Sequence, residues 1–288
     1  MEILLQVAFN GLIIGLIYVL MALGLTLIFG VTDIMNFAHG EFYMLGAFIS
    51  YITISQFHVP FYVSFVIAIV IVGILAILTE RLVIRRLRAN HLNVLIATLA
   101  LSILFQHVAQ VLFGADNYKI PSPLPGVLII GGLYFPNERL FAAGTSLVLL
   151  FGLYLLVFRS SFGRAMRAVA QNPDAAALQG IQFSRVYMLS FAIGCGLAAA
   201  AGCLMGPIFS VTAFMGPLAL GKAFIVIILA GIGSIRGAVI GGIVLGIAES
   251  FASTFIGAQY SDMIGFGLVM LVLILKPSGL FGIAIEKV

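Results

Sequence analysis

"ILLQVAFNGLIIGLIYVLMALGLTLIFG", residues 3–30, holds no charged side chain in 28 positions. A helix crosses a bilayer with about 20 apolar residues, so this stretch reads as a helix dissolved in lipid and decides the fold class. Nothing basic precedes it and no small-residue cleavage site follows it closely, so it is expected to be a first span and not a removable leader. "VTDIMNFAHGEF", residues 31–42, follows at once and crowds Asp33, Asn36, His39 and Glu41 together before the next apolar run.

Outward from there the chain repeats the first pattern. Of 288 residues 62% are hydrophobic and 8% charged, with 32 Gly and no Trp, and the mean hydropathy is +1.23. That is the composition of a chain embedded in membrane along most of its length. Apolar runs fall at about 3–30, 36–56, 61–83, 92–113, 141–158, 186–209, 220–235, 237–257 and 263–276. The expectation is one all-α polytopic membrane domain over 1–288, with about 8–10 helices, some broken or halved. The seventh run, short and preceded by Gly216-Pro217, is a candidate half-helix.

Arginine orients the bundle, because inside loops carry the Lys/Arg excess. Arg81, Arg85, Arg86 and Arg88 follow the third run, and Arg159, Arg164, Arg167 and Arg185 follow the fifth. Two spans separate these clusters, so both lie on the cytoplasmic side. The connection 114–139 then faces outside, with Lys119 and Arg139 balanced by Asp116 and Glu138. The same count puts the tail carrying Lys276 and Lys287 inside.

Small residues recur every four positions at Gly194, Ala198, Gly202 and Gly206, and again at Gly237/Gly241 and Gly242/Gly246. Such stripes let helices approach closely in lipid; they are read as interfaces, with sliding surfaces as the alternative. "GVTDIMNFAHG" (30–40) and "GIGSIRGAVIG" (231–241) echo one another where apolar runs are interrupted. Duplicated broken helices mark transporter binding sites, so a possible internal repeat joins the expectation.

Several motifs are decoys. "GPLALGKA" (216–223) nearly spells a phosphate loop, but Ala223 stands where a hydroxyl should hold Mg²⁺ and no strand precedes it. "GIGSIRG" misses the dinucleotide fingerprint at Arg236. No catalytic triad, HExxH or paired carboxylates appear, so an enzyme is not expected. Cys195 and Cys203, about 12 Å apart along a helix, are too distant for a disulfide and form no metal motif. The net charge of +4 sits in loops and does not indicate nucleic acid.

"RSSFGRAMRAVAQNPDAAALQGIQFSR" (159–185) is the longest cytoplasmic segment. Arg164, Ala168 and Gln171 share one helix face. Asn172 is placed to cap a second, short helix, with Pro173 at its first position and Asp174 at its positive end. Gly180 suits its C-terminal stop. A capped helix across the mouth of a membrane bundle suggests docking to a soluble partner.

"DAAALQG" (174–180) resembles the E-A-A-x-x-x-G loop of ATP-binding-cassette importer permeases, with Asp174 for Glu. The apolar Ile-x-Leu-Pro that usually follows is missing around Ser190–Ala192, which points away from the standard importer branch. "ALGLTLIFGVTDIMNFAHGEFYMLGAF" (22–48), "FGRAMRAVAQNPDAAALQGI" (162–181), "LAGIGSIRGAVIGG" (229–242) and "KPSGLFG" (276–282) together resemble the branched-chain amino acid permease family, most closely the shorter of its two membrane subunits. The resemblance implies a related second permease chain, two cytoplasmic ATPase subunits that carry ATP and Mg, and a soluble external substrate-binding protein. It implies a bacterial inner (cytoplasmic) membrane location, and relatives that carry urea or other amides. It assigns ATPase coupling to Gly163, Arg164, Arg167, Asn172, Pro173, Asp174, Ala175, Ala176 and Gly180.

For 30–42 two readings stand. In one, Asn36, His39, Gly40 and Glu41, with Gly231, Gly233 and Gly237, line the translocation path or its gate. In the other, the polar groups satisfy broken backbone at the cytoplasmic rim, since freed backbone at membrane depth must find partners. Intramembrane charges face cavities or partners: Glu249 is expected to pair with a basic group, line the cavity or sit near the outer rim. Gln106 and His107 are expected to bond between helices, Arg236 to anchor at the cytoplasmic side, and His58 and His91 to lie solvated in loops. The function expected is a pore-forming importer subunit working by alternating access on branched-chain amino acids or a related small neutral solute. The rival is a stand-alone secondary transporter or channel, for which Asp33, Glu41 and Glu249 are the candidate ion sites.

Overall fold

The computed structural model describes residues 2–231 and 233–281; Ile232, Gly282 and Lys287 lie outside the described residues. Among the described residues nine apolar helices match the nine runs. They are α1 (Glu2–Thr32), α2 (His39–Ser55), α3 (Phe61–Leu87, with a π turn at Glu80–Ile84) and α4 (His91–Phe113). A hairpin β1 (Val127–Ile130) and β2 (Leu133–Pro136) precedes α5 (Asn137–Arg159). Two short polar helices follow, α6 (Ser161–Gln171) and α7 (Pro173–Leu178). The bundle ends with α8 (Phe183–Met205), α9 (Met215–Ala230), α10 (Ile235–Phe255) and α11 (Ser261–Leu275). Seven of the described helices are long and apolar enough to cross a membrane, α11 when counted with the 3-10 turn before it (Ala258–Leu275, 18 residues); α2 (17 residues) and α9 (16 residues) are shorter. The chain is an all-α polytopic membrane bundle.

α1 and α8 form its centre. α1 runs against α10 through Gly11 and Gly15, which face Gly246 and Gly242, and meets α8 where Gly24 lies against Gly194. α8 in turn packs on α2, with Gly202 under the Tyr43 carbonyl and Gly46 against Ala199. The glycine stripes are therefore packing seams, where dispersion between close backbones replaces the hydrophobic drive that lipid removes. Phe42 fills the gap between Phe105 and Phe191, with ring centroids 5.7 and 6.0 Å away.

Both arginine clusters gather at one end. The Arg88 guanidinium lies 4.1 Å over the Tyr187 ring, and Arg88 also bonds the buried Glu80 carboxylate at 2.6 Å. At the opposite end the hairpin rests on the start of α1. There Gln6 donates to the Tyr134 carbonyl at 2.7 Å and accepts from its N–H at 2.9 Å.

Several boundaries differ from expectation. α5 starts at Asn137, so Glu138 and Arg139 belong to a helix and not to the connection. The hairpin inside 114–139 turns on Gly131-Gly132, both with positive φ; two glycines between apolar triplets are its sequence signal. α9 begins at Met215, before Pro217, because proline in a first turn loses no helical hydrogen bond. Gln106 and His107 do not bond between helices among the described residues: His107 Nδ1 lies 3.2 Å from Gln110 Oε1 on its own helix. His91 is exposed but opens α4, one residue after its cap Asn90, and lies 3.9 Å from Asp33.

Candidate functional site

The chain does not enter α2 at the end of α1. Asp33 takes a left-handed conformation (φ 53°) and remains exposed. The next five residues then run back along α1 as non-helical chain. His39, first residue of α2, places Nε2 3.1 Å from the carbonyl oxygen of Met21. Met21 is eleven residues short of Thr32, about 16 Å up the helix at 1.5 Å per residue. α2 thus starts partway through the bundle, and Asn36 precedes it instead of opening it as the sequence suggested.

Non-helical backbone at such depth needs internal partners, and the polar residues supply them. Asn36 Oδ1 accepts from the Ala38 N–H at 3.1 Å, and Asn36 O accepts from the His39 N–H at 3.2 Å. Asn36 and His39 are fully buried and Glu41 is 1% exposed. Asn36 and His39 thus bond backbone groups from inside the protein.

Glu41 differs from its neighbours. One carboxylate oxygen accepts from Ser102 Oγ on α4 at 3.0 Å; the other has no hydrogen-bond partner. Gly40 and Glu41 lie against Gly216 in the first turn of α9, so two helix N-termini face each other beside the middle of α1. α9 ends at Gly231 (φ 89°) and turns through Gly233 (φ 83°). Ser234 then caps α10 by accepting from the Gly237 N–H at 3.1 Å. Leu280 and Phe281 fold back and donate their N–H groups to the carbonyls of Leu229 and Ala230, both at 2.9 Å. They satisfy the open end of α9 and bring residues 276–281 onto this turn. A groove of about 320 Å³ lies beside the break, lined by Leu25, Phe29, Met35, Phe37, Phe224 and Ile227.

The decoy phosphate loop is helical within α9, and its Lys222 has another use. Lys222 Nζ bonds Glu249 on α10 and, at 2.6 Å, Asp262 on α11. Tyr18 of α1 donates to the other Glu249 oxygen at 2.9 Å. Glu249 is therefore paired with a basic group and buried. Lys222, Tyr18 and Ser102 went unread in the sequence. A single lysine inside an apolar run was the available signal for the first, while a lone Tyr or Ser in such a run carries none.

At the Arg-rich end α6 buries Gly163, Met166 and Val169 on one face, a spacing of three. Gly163 lies under the last carbonyls of α5, and Arg167 donates to the Val157 carbonyl. Gly163 thus faces its own bundle and Arg167 reaches back to it, although Arg167, like Arg164, is exposed. Asn172 Oδ1 accepts from the N–H groups of Asp174 (3.0 Å) and Ala175 (2.9 Å), and Pro173 holds the first position. Gly180 ends the turn at φ 80°. Ala176 is buried, whereas Asn172, Pro173, Asp174 and Ala175 are exposed and Leu178 is 88% exposed.

Comparison with known proteins decides what this scaffold is. Residues 7–274 match the family model described as the branched-chain amino acid transport system / permease component. The chain belongs to this family. It is 37% identical to the high-affinity branched-chain amino acid transport system permease protein BraD of Pseudomonas aeruginosa, over 96% of this chain and 95% of that protein. It is 35% identical to the corresponding protein LivH of Escherichia coli, with the same coverage. Similarity to LivM of Escherichia coli is lower, 25% over 92% of this chain and 68% of that longer protein. The branched-chain amino acid permease family is a family of transport components and not of enzymes. Its fold here is a multi-pass membrane bundle, and the described residues of the 22–48, 162–181, 229–242 and 276–282 stretches that carried the resemblance map onto the break, α6–α7, the α9–α10 turn and the segment folded against it.

Proposed function

We propose that this chain is the path-forming subunit of an ATP-driven importer that moves branched-chain amino acids across the bacterial inner membrane by alternating access. It pairs with a related second permease chain as a heterodimer, receives solute from a soluble external binding protein, and is worked by two cytoplasmic ATPase subunits carrying ATP and Mg. The Arg-rich end and the C-terminus face the cytoplasm and the hairpin faces outside. The observation that carries the reading is α7: a helix capped at both ends, standing off the bundle, with Leu178 turned out to solvent. An exposed leucine on a rigid short helix favours a protein cleft that covers it. Closure of two ATPases on α7 would pull α6, and through Gly163 and Arg167 the end of α5.

The break at 33–41 and the turn at 231–237 form the path or its gate. The relatives' names specify branched-chain amino acids, and the apolar groove beside Phe37 and Phe224 suits a branched aliphatic side chain better than urea or a small amide. The test is uptake of labelled leucine into proteoliposomes holding the whole assembly. Uptake should require ATP and vanish on deletion of Pro173–Gly180 or in Gly180→Asp, with membrane insertion retained and the ATPases no longer attached. Leucine uptake by this chain alone, without ATP, would establish the rival stand-alone transporter.

A further inference from the structure

We propose that Glu41 reads the α-ammonium group of the solute in transit, with Ser102 orienting its carboxylate and the first turn of α9 covering it; this rests on the amino acid importer reading above. The comparison lies within the molecule. Three glutamates are buried among the described residues of the membrane helices, at 41, 80 and 249. Glu80 is paired with Arg88 and Glu249 with Lys222. Glu41 has only a neutral hydroxyl, Ser102, on one oxygen, and no ion pair among the described residues. A buried carboxylate without a cation is costly, so the site lacks a positive charge that its two counterparts have.

Two helix N-termini adjoin Glu41. It lies in the first turn of α2 and beside the first turn of α9, and negative charge is stabilised near helix N-termini. Its unpartnered oxygen is closed off by Gly216, where an added Cβ would stand 2.6 Å from it. The cover is therefore bare backbone, and Gly40 and Gly216 meet without interlocking side chains. Displacing the first turn of α9 exposes one carboxylate oxygen at membrane depth, already held in orientation by Ser102. A primary ammonium supplies the missing charge and a donor; urea and neutral amides supply donors without charge. Glu41 would thereby discriminate between amino acids and the uncharged solutes that a path with few charges would otherwise suit.

The experiment uses the complete transporter in proteoliposomes, reading labelled leucine uptake beside the ATP hydrolysis stimulated by leucine-loaded binding protein. Glu41→Gln keeps the shape and the acceptor for Ser102 and removes the charge. It should lower leucine uptake at least tenfold while stimulated hydrolysis stays within twofold of wild type, and Glu41→Asp should recover part of the loss. Uptake by Glu41→Gln within twofold of wild type overturns the proposal, as does a parallel loss of stimulated hydrolysis. A measurement on the wild type guards against misfolding of the variant. A hydrophobic carbodiimide should label Glu41, and labelling should fall when leucine passes during turnover; unchanged labelling overturns the assignment. Wild-type vesicles that import no leucine with ATP sink the importer reading and this proposal together, whereas normal wild-type import with normal Glu41→Gln import sinks this one alone.

Discussion

At Gly202 the missing Cβ is what allows α8 to touch α2, since a methyl group there would meet the Tyr43 carbonyl oxygen, a backbone atom with no side-chain freedom to yield. Gly73 sits on a helix of the same kind with open space where its Cβ would be. The two positions separate packing from propensity. Gly202→Ala should destabilise the detergent-solubilised protein by about 1–3 kcal/mol through overpacking. Gly73→Ala should be neutral or stabilising by up to about 1 kcal/mol, because alanine is the better helix former. Thermal unfolding of the two variants beside the wild type checks both signs. Equal destabilisation would mean that the seam between α2 and α8 is not the close contact described. The stripe was legible in the sequence because small residues recur every four positions; which helix Gly194 and Gly202 face was not, because their partners Gly24 and Tyr43 lie more than 150 residues away in the chain.

Elements are held by a few polar devices whose worth can be measured. Lys222 fastens the short α9 to α10 and α11, and Tyr18 extends the cluster to α1. Lys222→Met leaves Glu249 buried without a counter-charge, so a loss of about 3–5 kcal/mol is expected. Lys222→Met combined with Glu249→Gln should recover more than half of that loss, since the penalty comes from the unpaired charge. A double-mutant cycle on unfolding in detergent reads the coupling, and additive losses would deny the pair. α7 depends instead on its cap. Asn172→Ala should cost its helix about 1 kcal/mol, seen as faster hydrogen exchange at Ala176–Leu178 while the amides of α8 are unchanged. Asn172, Pro173, Asp174 and Gly180 were readable as cap, first turn and stop because these roles are local in sequence. The true start of α2 was not readable. Residues 34–38 are mostly apolar and lead straight into α2, so the non-helical stretch reads as more helix. Likewise the pairing of Glu249 could be anticipated in kind, but its partners Lys222 and Tyr18 come from separate helices that only the tertiary fold brings together.

The whole molecule has two unlike ends, and every functional role proposed for it depends on which end faces the cell interior. Arg88, Tyr187, α6 and α7 share one end; the hairpin, locked to Gln6, marks the other. In the proposed orientation, which follows the positive-inside rule, α7 faces the cytoplasm and the proposed ATPases, and Tyr134 of the hairpin faces outside and the proposed binding protein. The protein is suited to a direct test because its two native cysteines, Cys195 and Cys203, are both buried in α8. A membrane-impermeant maleimide therefore should find little background. Tyr134 is 60% exposed and Leu178 is 88% exposed, so a cysteine at either position presents its thiol to solvent. Tyr134→Cys should label in intact spheroplasts and Leu178→Cys only in inverted vesicles or after permeabilisation. In the assembled transporter Leu178→Cys should also be shielded until the ATPase subunits are stripped away, which separates orientation from docking. The reverse labelling pattern would turn the bundle over, place α7 where no ATPase can reach it, and leave the break at 33–41 opening to the wrong side of the membrane for uptake.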